Sequence, residues 1–287
     1  MLINSEEDFM MKGQHKKYRI LILGGSGYLG QAIYKELAPY FKTFGTYFSK
    51  EKLFGRNHHF IHYNLQEDDL HDVLNACQPD IVISALRGDF YAQTIAHQHL
   101  FEYALAQGTK IIFLSSANTF DAYSKYPSYE LDKTLSHSIY GHFKIKIENL
   151  FLKLPQRQVV ILRLPMVFGH NSPRIEEIKD HIHSSQPVEI FPNLIMNVTS
   201  DQKITQQIHY IINRKKYGIF HAGSTDLVHH DEFIKELTGI LTLDNVNFKH
   251  VYTTNQDRYL AVLPKFNKLP KHLQITSDRV LEEFKVS

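Results

Sequence analysis

Tyr18–Leu23 (YRILIL) runs directly into GGSGYLG and then into an apolar-periodic stretch, Leu29–Ala38, that stops at Pro39. No other feature restricts the fold as strongly. A short continuous apolar run reads as a strand buried on both faces, and the period of the following segment reads as a helix. Gly24, Gly27 and Gly30 stand three apart in the connection. Without Cβ atoms such a connection turns tightly, brings backbone N–H groups close to a pyrophosphate and lets helix pack on strand. A strand, glycine turn and helix in this register point to dinucleotide binding. A tight turn with no ligand is the plainer alternative. Glycine is scarce, yet four of the 14 glycines fall in these seven residues.

The alternation continues. Lys42–Phe48, His59–Tyr63, Ile81–Ala85, Ile111–Ser115 and Val159–Leu164 read as strands. Gln66–Ala76 reads as a helix, with Glu67, Asp68 and Asp69 near its start where the helix dipole favours acids. Phe90–Gln107 is a long helix closed by Gly108, and Ile139–Leu152 is the next. This order predicts an α/β fold with a doubly wound, Rossmann-like parallel sheet. After Pro165, prolines recur at 173, 187 and 192 and the alternation weakens. Helices remain predicted at Arg174–Ser184, Asp201–Arg214 and Asp231–Thr238, with short strands at Val188–Ile190 and Gly218–His221. The expected organisation is a flexible leader over 1–17, a dinucleotide-binding core over 18–165 and a smaller substrate-binding region over 166–287, with some segments returning to the core.

Several function classes drop out. With 43% hydrophobic residues, 22% charged residues and a net charge of +2, the chain is neither acidic nor basic enough for a nucleic-acid-binding domain. One cysteine, Cys77, excludes a disulfide framework and cysteine-based metal sites. No window approaches the roughly 18 apolar residues of a membrane span, and the opening residues lack the apolar stretch of a secretory signal. A cytoplasmic location is expected. The 18 histidines invite a metal hypothesis. However, His97 and His99, like His181 and His183, stand two apart on predicted helices and splay to different faces, while His58–His59 and His229–His230 are adjacent at segment ends. Chelation along one helix prefers spacings of three or four. Nearly all of the histidines therefore read as surface residues, and no metal is expected.

The end of the second strand bears on the choice of dinucleotide. An acid there would hold the adenosine ribose hydroxyls of NAD. Here Ser49 and Lys50 stand in that segment and suit a 2′-phosphate, which favours NADP over NAD. Tyr140 and Lys144 place a phenol and an ammonium one helical turn apart. There Lys144 would stabilise the phenolate, lowering the Tyr140 pKa for acid–base work. Chance alone yields such a pair in a chain with 16 tyrosines, and Tyr129–Lys133 repeats the spacing in a loop-like stretch. Context selects Tyr140: its helix follows a strand ending in Leu114-Ser115-Ser116, whose hydroxyl can meet a substrate carbonyl.

Together these segments resemble the extended short-chain dehydrogenase/reductase family over roughly residues 18 to 240. GGSGYLG resembles its GxxGxxG fingerprint, LSSANTFD its serine-bearing segment, YGHFKIKIE its YGxxKxxxE helix and LRLPMVFG its LRxxxVyG segment. Length and SSANTFD are most similar to the dTDP-4-dehydrorhamnose reductase branch of sugar-nucleotide enzymes. The resemblance implies that Ser116 orients a substrate carbonyl, Tyr140 transfers the proton and Lys144 holds the nicotinamide ribose. It implies backbone contacts to the cofactor from Ser26, Tyr28 and Leu29, an adenine-side contact at Asn64 and Leu65, and cofactor contacts from Ala85, Leu86 and Arg87 and from Pro165, Met166 and Val167.

Two positions depart from the family. Sugar dehydratases carry an acidic pair where Ala117 and Asn118 stand, so dehydration is disfavoured and Asn118 becomes a substrate contact. Arg87 is either an anchor for an anionic substrate group or a surface residue at the cleft mouth. Arg174 suits a substrate phosphate, and Asn193 and Asn197 suit sugar hydroxyls. The expected activity is hydride transfer from NAD(P)H to a keto group, on a small-molecule substrate that is a nucleotide-linked sugar. An NAD-dependent sugar-nucleotide epimerase and a non-catalytic dinucleotide sensor or scaffold are the alternatives. The resemblance also implies a homodimer through the helices at Phe90–Gln107 and Ile139–Leu152, whose apolar residues sheet packing explains equally well.

Overall fold

The computed structural model describes residues 18–49, 51–241, 243 and 246–285. The expected leader and Lys50 lie outside the described residues. Strands β1 (Arg19–Leu23), β2 (Lys42–Tyr47), β3 (Phe60–His62), β4 (Ile81–Ser84), β5 (Lys110–Ser116) and β6 (Val159–Leu164) alternate with helices α1 (Tyr28–Leu37), α2 (Glu51–Phe54), α3 (Leu70–Cys77), α4 (Phe90–Gln107) and α5 (Ile139–Phe151). Then follow β7 (Met166–Phe168), α6 (Pro173–His183), β8 (Val188–Ile190), β9 (Leu194–Met196), β10 (Val198–Ser200), α7 (Asp201–Asn213), β11 (Gly218–His221), β12 (Val228–His229), α8 (His230–Ile240), β13 (Phe248–His250), β14 (Arg258–Leu260) and α9 (Ser277–Glu282).

The main sheet has seven strands in the order β11-β6-β5-β4-β1-β2-β3, all paired parallel. Successive side chains of a strand point to opposite faces. Leu21, Leu23, Val82 and Phe113 thus pack on one side with Leu74, Leu100, Ile147 and Phe151 of α3, α4 and α5. Ile20, Ile22, Ile83 and Ile112 pack on the other with Ile33 and Leu37 of α1 and Ile204 and Ile208 of α7. Burial on both faces is why the inner strands read as unbroken apolar runs. The order reverses between β1 and β4, and a crevice opens there beyond the carboxyl ends of the strands, the position at which open α/β sheets bind ligands.

The later part is built differently. Phe168, Ile175, Val188, Met196, Phe233, Leu237 and Val280 form a separate core under three small sheets, β10-β7, β12-β9-β14 and β13-β8. Two elements from beyond residue 165 nevertheless belong to the main sheet. β11 adds its seventh strand beside β6, and α7 covers one face.

Three details differ from the expectations. The helix expected from Gln66 begins at Leu70, because Asp69 takes the N-cap and accepts a bond from the His71 N–H. Aspartate is worth more as a cap than inside a helix, so the acidic run precedes α3. His97 is not a surface residue: it is 1% exposed, with its Nδ1 2.6 Å from the Gln93 carbonyl oxygen and its Nε2 2.8 Å from Ser84 Oγ. His221 and His230 are buried as well. Among the described residues no helix is long and apolar enough to cross a membrane.

Candidate active site

The crevice is an open cavity of about 900 Å³, and the glycine turn forms one end of it. Gly24 adopts φ +78°, and a Cβ there would sit 2.7 Å from the Ala85 carbonyl oxygen. At Gly30 a Cβ would collide with the Gly24 carbonyl oxygen. The turn is tied to β2, since the Gly24 N–H donates to Thr46 Oγ1 at 2.8 Å and the Ser26 N–H to the Thr46 carbonyl at 3.0 Å. Gly27 caps α1 and supplies no side-chain bond, so the helix presents its positive end to the cavity without a side-chain acceptor, the arrangement an anion occupies. Ser26, Tyr28 and Leu29 line the same end.

Ser116, Tyr140 and Lys144 line the other end. Ser116 closes β5, and its Oγ accepts from the Asn118 N–H at 3.2 Å and donates to Asn118 Oδ1 at 3.0 Å. Ser138 caps α5 by accepting from the Gly141 N–H at 3.0 Å, which starts the helix in time to put Tyr140 and Lys144 on one face. Lys144 is 6% exposed. Its Nζ donates to the Leu114 carbonyl at 2.8 Å and lies 5.6 Å from the Tyr140 ring centroid.

Burial pushes the Lys144 ammonium down to about 8; Glu148 opposes this, and Arg87 adds to it. Burial also raises the Tyr140 phenol, against the opposing pull of Ser116 and Arg87. The expectation that Lys144 lowers the Tyr140 pKa is therefore corrected. Desolvation of the phenol outweighs the hydrogen bond from Ser116 and the charge of Arg87.

Behind these groups lies a buried ion pair. Glu148, one turn beyond Lys144, accepts from Arg163 Nη2 at 2.7 Å, with side-chain exposures of 2% and 3%. It also accepts from the Ser115 hydroxyl. Arg163 reaches on to the Glu130 carbonyl at 3.1 Å and to His221 at 3.4 Å. This network locks α5 to the ends of β5 and β6, and thereby fixes where Tyr140 and Lys144 point.

Of the remaining expected site residues, Ser49, Asn64, Leu65, Ala85, Leu86, Arg87, Asn118, Pro165, Met166, Val167 and Arg174 all line the cavity. Arg87 is exposed at its mouth. Burial lowers the Arg174 pKa, against Glu177. Asn193 and Asn197 are not brought there. Asn193 Nδ2 donates to the Thr254 carbonyl. Asn197 is 0% exposed and spans the Ser224 and Val262 carbonyls and the Val262 N–H. It joins three chain segments and is not part of the lining of this cavity. Residue type alone does not separate an asparagine that reads a ligand from one that satisfies buried backbone.

Sequence reasoning missed Thr46, Tyr47 and Phe48 at the end of β2, Tyr63 after β3, and Leu260 of β14. Thr46 and Tyr47 close β2, while Phe48 and Tyr63 directly follow β2 and β3, so the carboxyl ends of strands legible in the sequence carry all four. Leu260 carries no local signal.

Comparison with known proteins adds a family and a fold. The profile of the family described as RmlD substrate binding domain matches residues 18–265. A dTDP-4-dehydrorhamnose reductase from Bacillus anthracis, solved in complex with NADP, superposes with a TM-score of 0.73 at 18% identity, covering 93% of this chain and 98% of that one. The dTDP-4-dehydrorhamnose reductase from Yersinia enterocolitica gives 0.71 at 17% identity, covering 93% and 99%. A UDP-glucose 4-epimerase from Thermus thermophilus in complex with NAD gives 0.75 at 14% identity, covering 94% and 99%. No curated protein matches in sequence.

Proposed function

Because the chain belongs to the RmlD substrate binding domain family, we propose that it is an NADP-dependent reductase that reduces a keto group on a nucleotide-linked sugar, as the name of the dTDP-4-dehydrorhamnose reductases implies. The observation that carries this reading is the sharing of one cavity by the glycine turn and by Ser116, Tyr140 and Lys144. The residues fit a dinucleotide: the turn is held so close to neighbouring backbone that a Cβ at Gly24 or Gly30 would clash, and the adjoining end of α1 has no side-chain cap.

Bound NADPH would supply the hydride. Ser116 donates a hydrogen bond to the keto oxygen, and Tyr140 delivers its proton to the alkoxide as it forms. A phenol whose pKa is raised is protonated at neutral pH, the state a reductase requires. Lys144, anchored on the Leu114 carbonyl, binds the ribose hydroxyls and stabilises the phenolate left after transfer. Gly24, Gly27 and Gly30 with Ser26, Tyr28 and Leu29 hold the pyrophosphate. Asn64 and Leu65 flank the adenine, while Ala85, Leu86, Pro165 and Val167 flank the nicotinamide. Asn118, Arg87 and Arg174 face the substrate, the two arginines toward its phosphates.

Among the described residues the cavity lining holds one carboxylate, Asp89, and it is engaged in capping α4. That supports reduction over acid-assisted dehydration. The lining from the end of β2 and the two residues after it (Thr46, Tyr47, Phe48 and Ser49) contains no acid to hold ribose hydroxyls, which supports NADP over NAD. The division into a dinucleotide-binding core and a smaller substrate-binding region belongs to the same proposal. So do a cytoplasmic location, in keeping with the single buried thiol of Cys77, and a homodimer. The test is oxidation of NADPH and NADH with keto-sugar nucleotides. Turnover with NADPH is expected; NAD that survives purification together with sugar epimerisation, or binding with no turnover, would overturn the reading.

A further inference from the structure

Spacings along single helices offer no chelating group, yet two helices taken together bring one. Asp69 caps α3, His71 sits in its first turn and His99 lies in the middle of α4. One ligand atom from each of the three lies within 4.8 Å of the other two, the one such His/Asp group among the described residues. Asp69 Oδ1 is 3.0 Å from His71 Nδ1 and 3.1 Å from His99 Nδ1, and the two imidazoles are 4.5 Å apart at 37°. A tetrahedral zinc site, with ligand distances near 2.1 Å, separates its ligand atoms by about 3.4 Å.

The three side chains sit on firmly held backbone. Helices α3 and α4 pack through Val73, Leu74, Leu100 and Tyr103, and the Tyr103 hydroxyl donates to the Leu74 carbonyl at 3.3 Å. Two imidazoles and a carboxylate match a borderline cation better than a hard one, which prefers oxygen. The group is reachable from solvent, with side-chain exposures of 54%, 35% and 31% for Asp69, His71 and His99. Without a cation, one carboxylate oxygen takes both ring nitrogens in addition to the His71 backbone N–H. A cation between them would exchange the ring N–H donors for nitrogen lone pairs, with the side chains drawing in from the 4.8 Å within which their ligand atoms lie.

We propose that Asp69, His71 and His99 form a surface site for a divalent zinc-class ion that clips the start of α3 to α4. The site lies apart from the cavity of the proposed reductase and does not depend on that activity. The test is a calorimetric titration of the untagged, chelator-treated full chain with Zn²⁺ alone. The wild-type protein is expected to bind at a single specific site, with affinity falling at least about tenfold in His71→Ala and in His99→Ala. The control His181→Ala/His183→Ala should retain it. Co²⁺ should give visible absorption of a low-coordinate site in the wild type that both single variants lose. Both histidines are about one-third exposed and can be replaced without opening the core, and unchanged thermal midpoints in the absence of metal check this. Unchanged Zn²⁺ affinity in both single variants, or an equal loss in the control, would overturn the proposal.

Discussion

Tyr129–Lys133 and Tyr140–Lys144 have the same spacing and opposite fates. Tyr129 lies in a turn closed by its own N–H donating to Asp132 Oδ2 at 2.7 Å, and Lys133 is exposed. Tyr140 and Lys144 are on a capped helix, and the lysine is buried under the phenol. A four-residue spacing brings two side chains together only where the backbone is helical. The first region is not idle, however. Glu130 is 1% exposed and accepts the backbone N–H groups of Lys265, Phe266 and Asn267. Burial alone would raise its pKa, but these donors hold it below the usual carboxylate range. One region anchors a distant segment and the other lines the cavity, and Arg163 bonds to both.

The sharpest way to break this contrast is kinetic. Tyr140→Phe should lower reductase kcat/KM by about 10²–10⁴-fold, the usual worth of a positioned proton donor, while Tyr129→Phe leaves it unchanged. Equal effects in a steady-state assay would erase the distinction. Next in size is Glu148→Gln, which strands Arg163 in the core and should destabilise by about 3–5 kcal/mol in urea unfolding.

A smaller loss is expected for Glu130→Gln, of about 1–3 kcal/mol, with the phenol of Tyr140 undisturbed. If Glu130→Gln abolished turnover at full stability, the division between anchor and chemistry would fail. Acid titration sharpens the picture further. Burial and the charge of Lys144 lower His97 from 6.5 to about 3, and burial and Arg163 lower His221 to about 4. Both stay neutral when folded but protonate near 6.5 when unfolded, so their contribution is fully present above pH 6.5 and is lost as pH falls toward those values. Unfolding free energy should drop by on the order of 1 kcal/mol per pH unit per group in that window, and His97→Leu should flatten the slope. Lys133→Met is expected to change stability by no more than about 0.5 kcal/mol.

Much of the fold and of the site is legible in the amino-acid sequence. Phe90–Gln107 and Val159–Leu164 keep the same bounds in the fold, because a strong period or an unbroken apolar run is a local property. The helical pattern from Gln66 overruns the true start of α3 by four residues, because Asp69 outcompetes it as a cap. Gly218–His221 reads correctly as a strand, but nothing within it says that it pairs with β6. Asn193 and Asn197 have the residue type of sugar ligands, yet they satisfy backbone groups outside the cavity. A polar residue on a helix usually faces solvent, and His97 does not. Its burial depends on Ser84, thirteen residues away and on another element.

By itself the sequence determined the strands, the glycine turn and the order of the motifs, since periodicity, glycine permissiveness and capping act within a few residues. It also put a phenol and an ammonium in register on one helix. Only the tertiary structure decided that Tyr140 and Lys144 share a cavity with the glycine turn, that desolvation raises the Tyr140 phenol, and that Asp69, His71 and His99 converge. Those outcomes depend on burial and on distances between elements remote in the chain, and both are set by how the helices pack on the sheet.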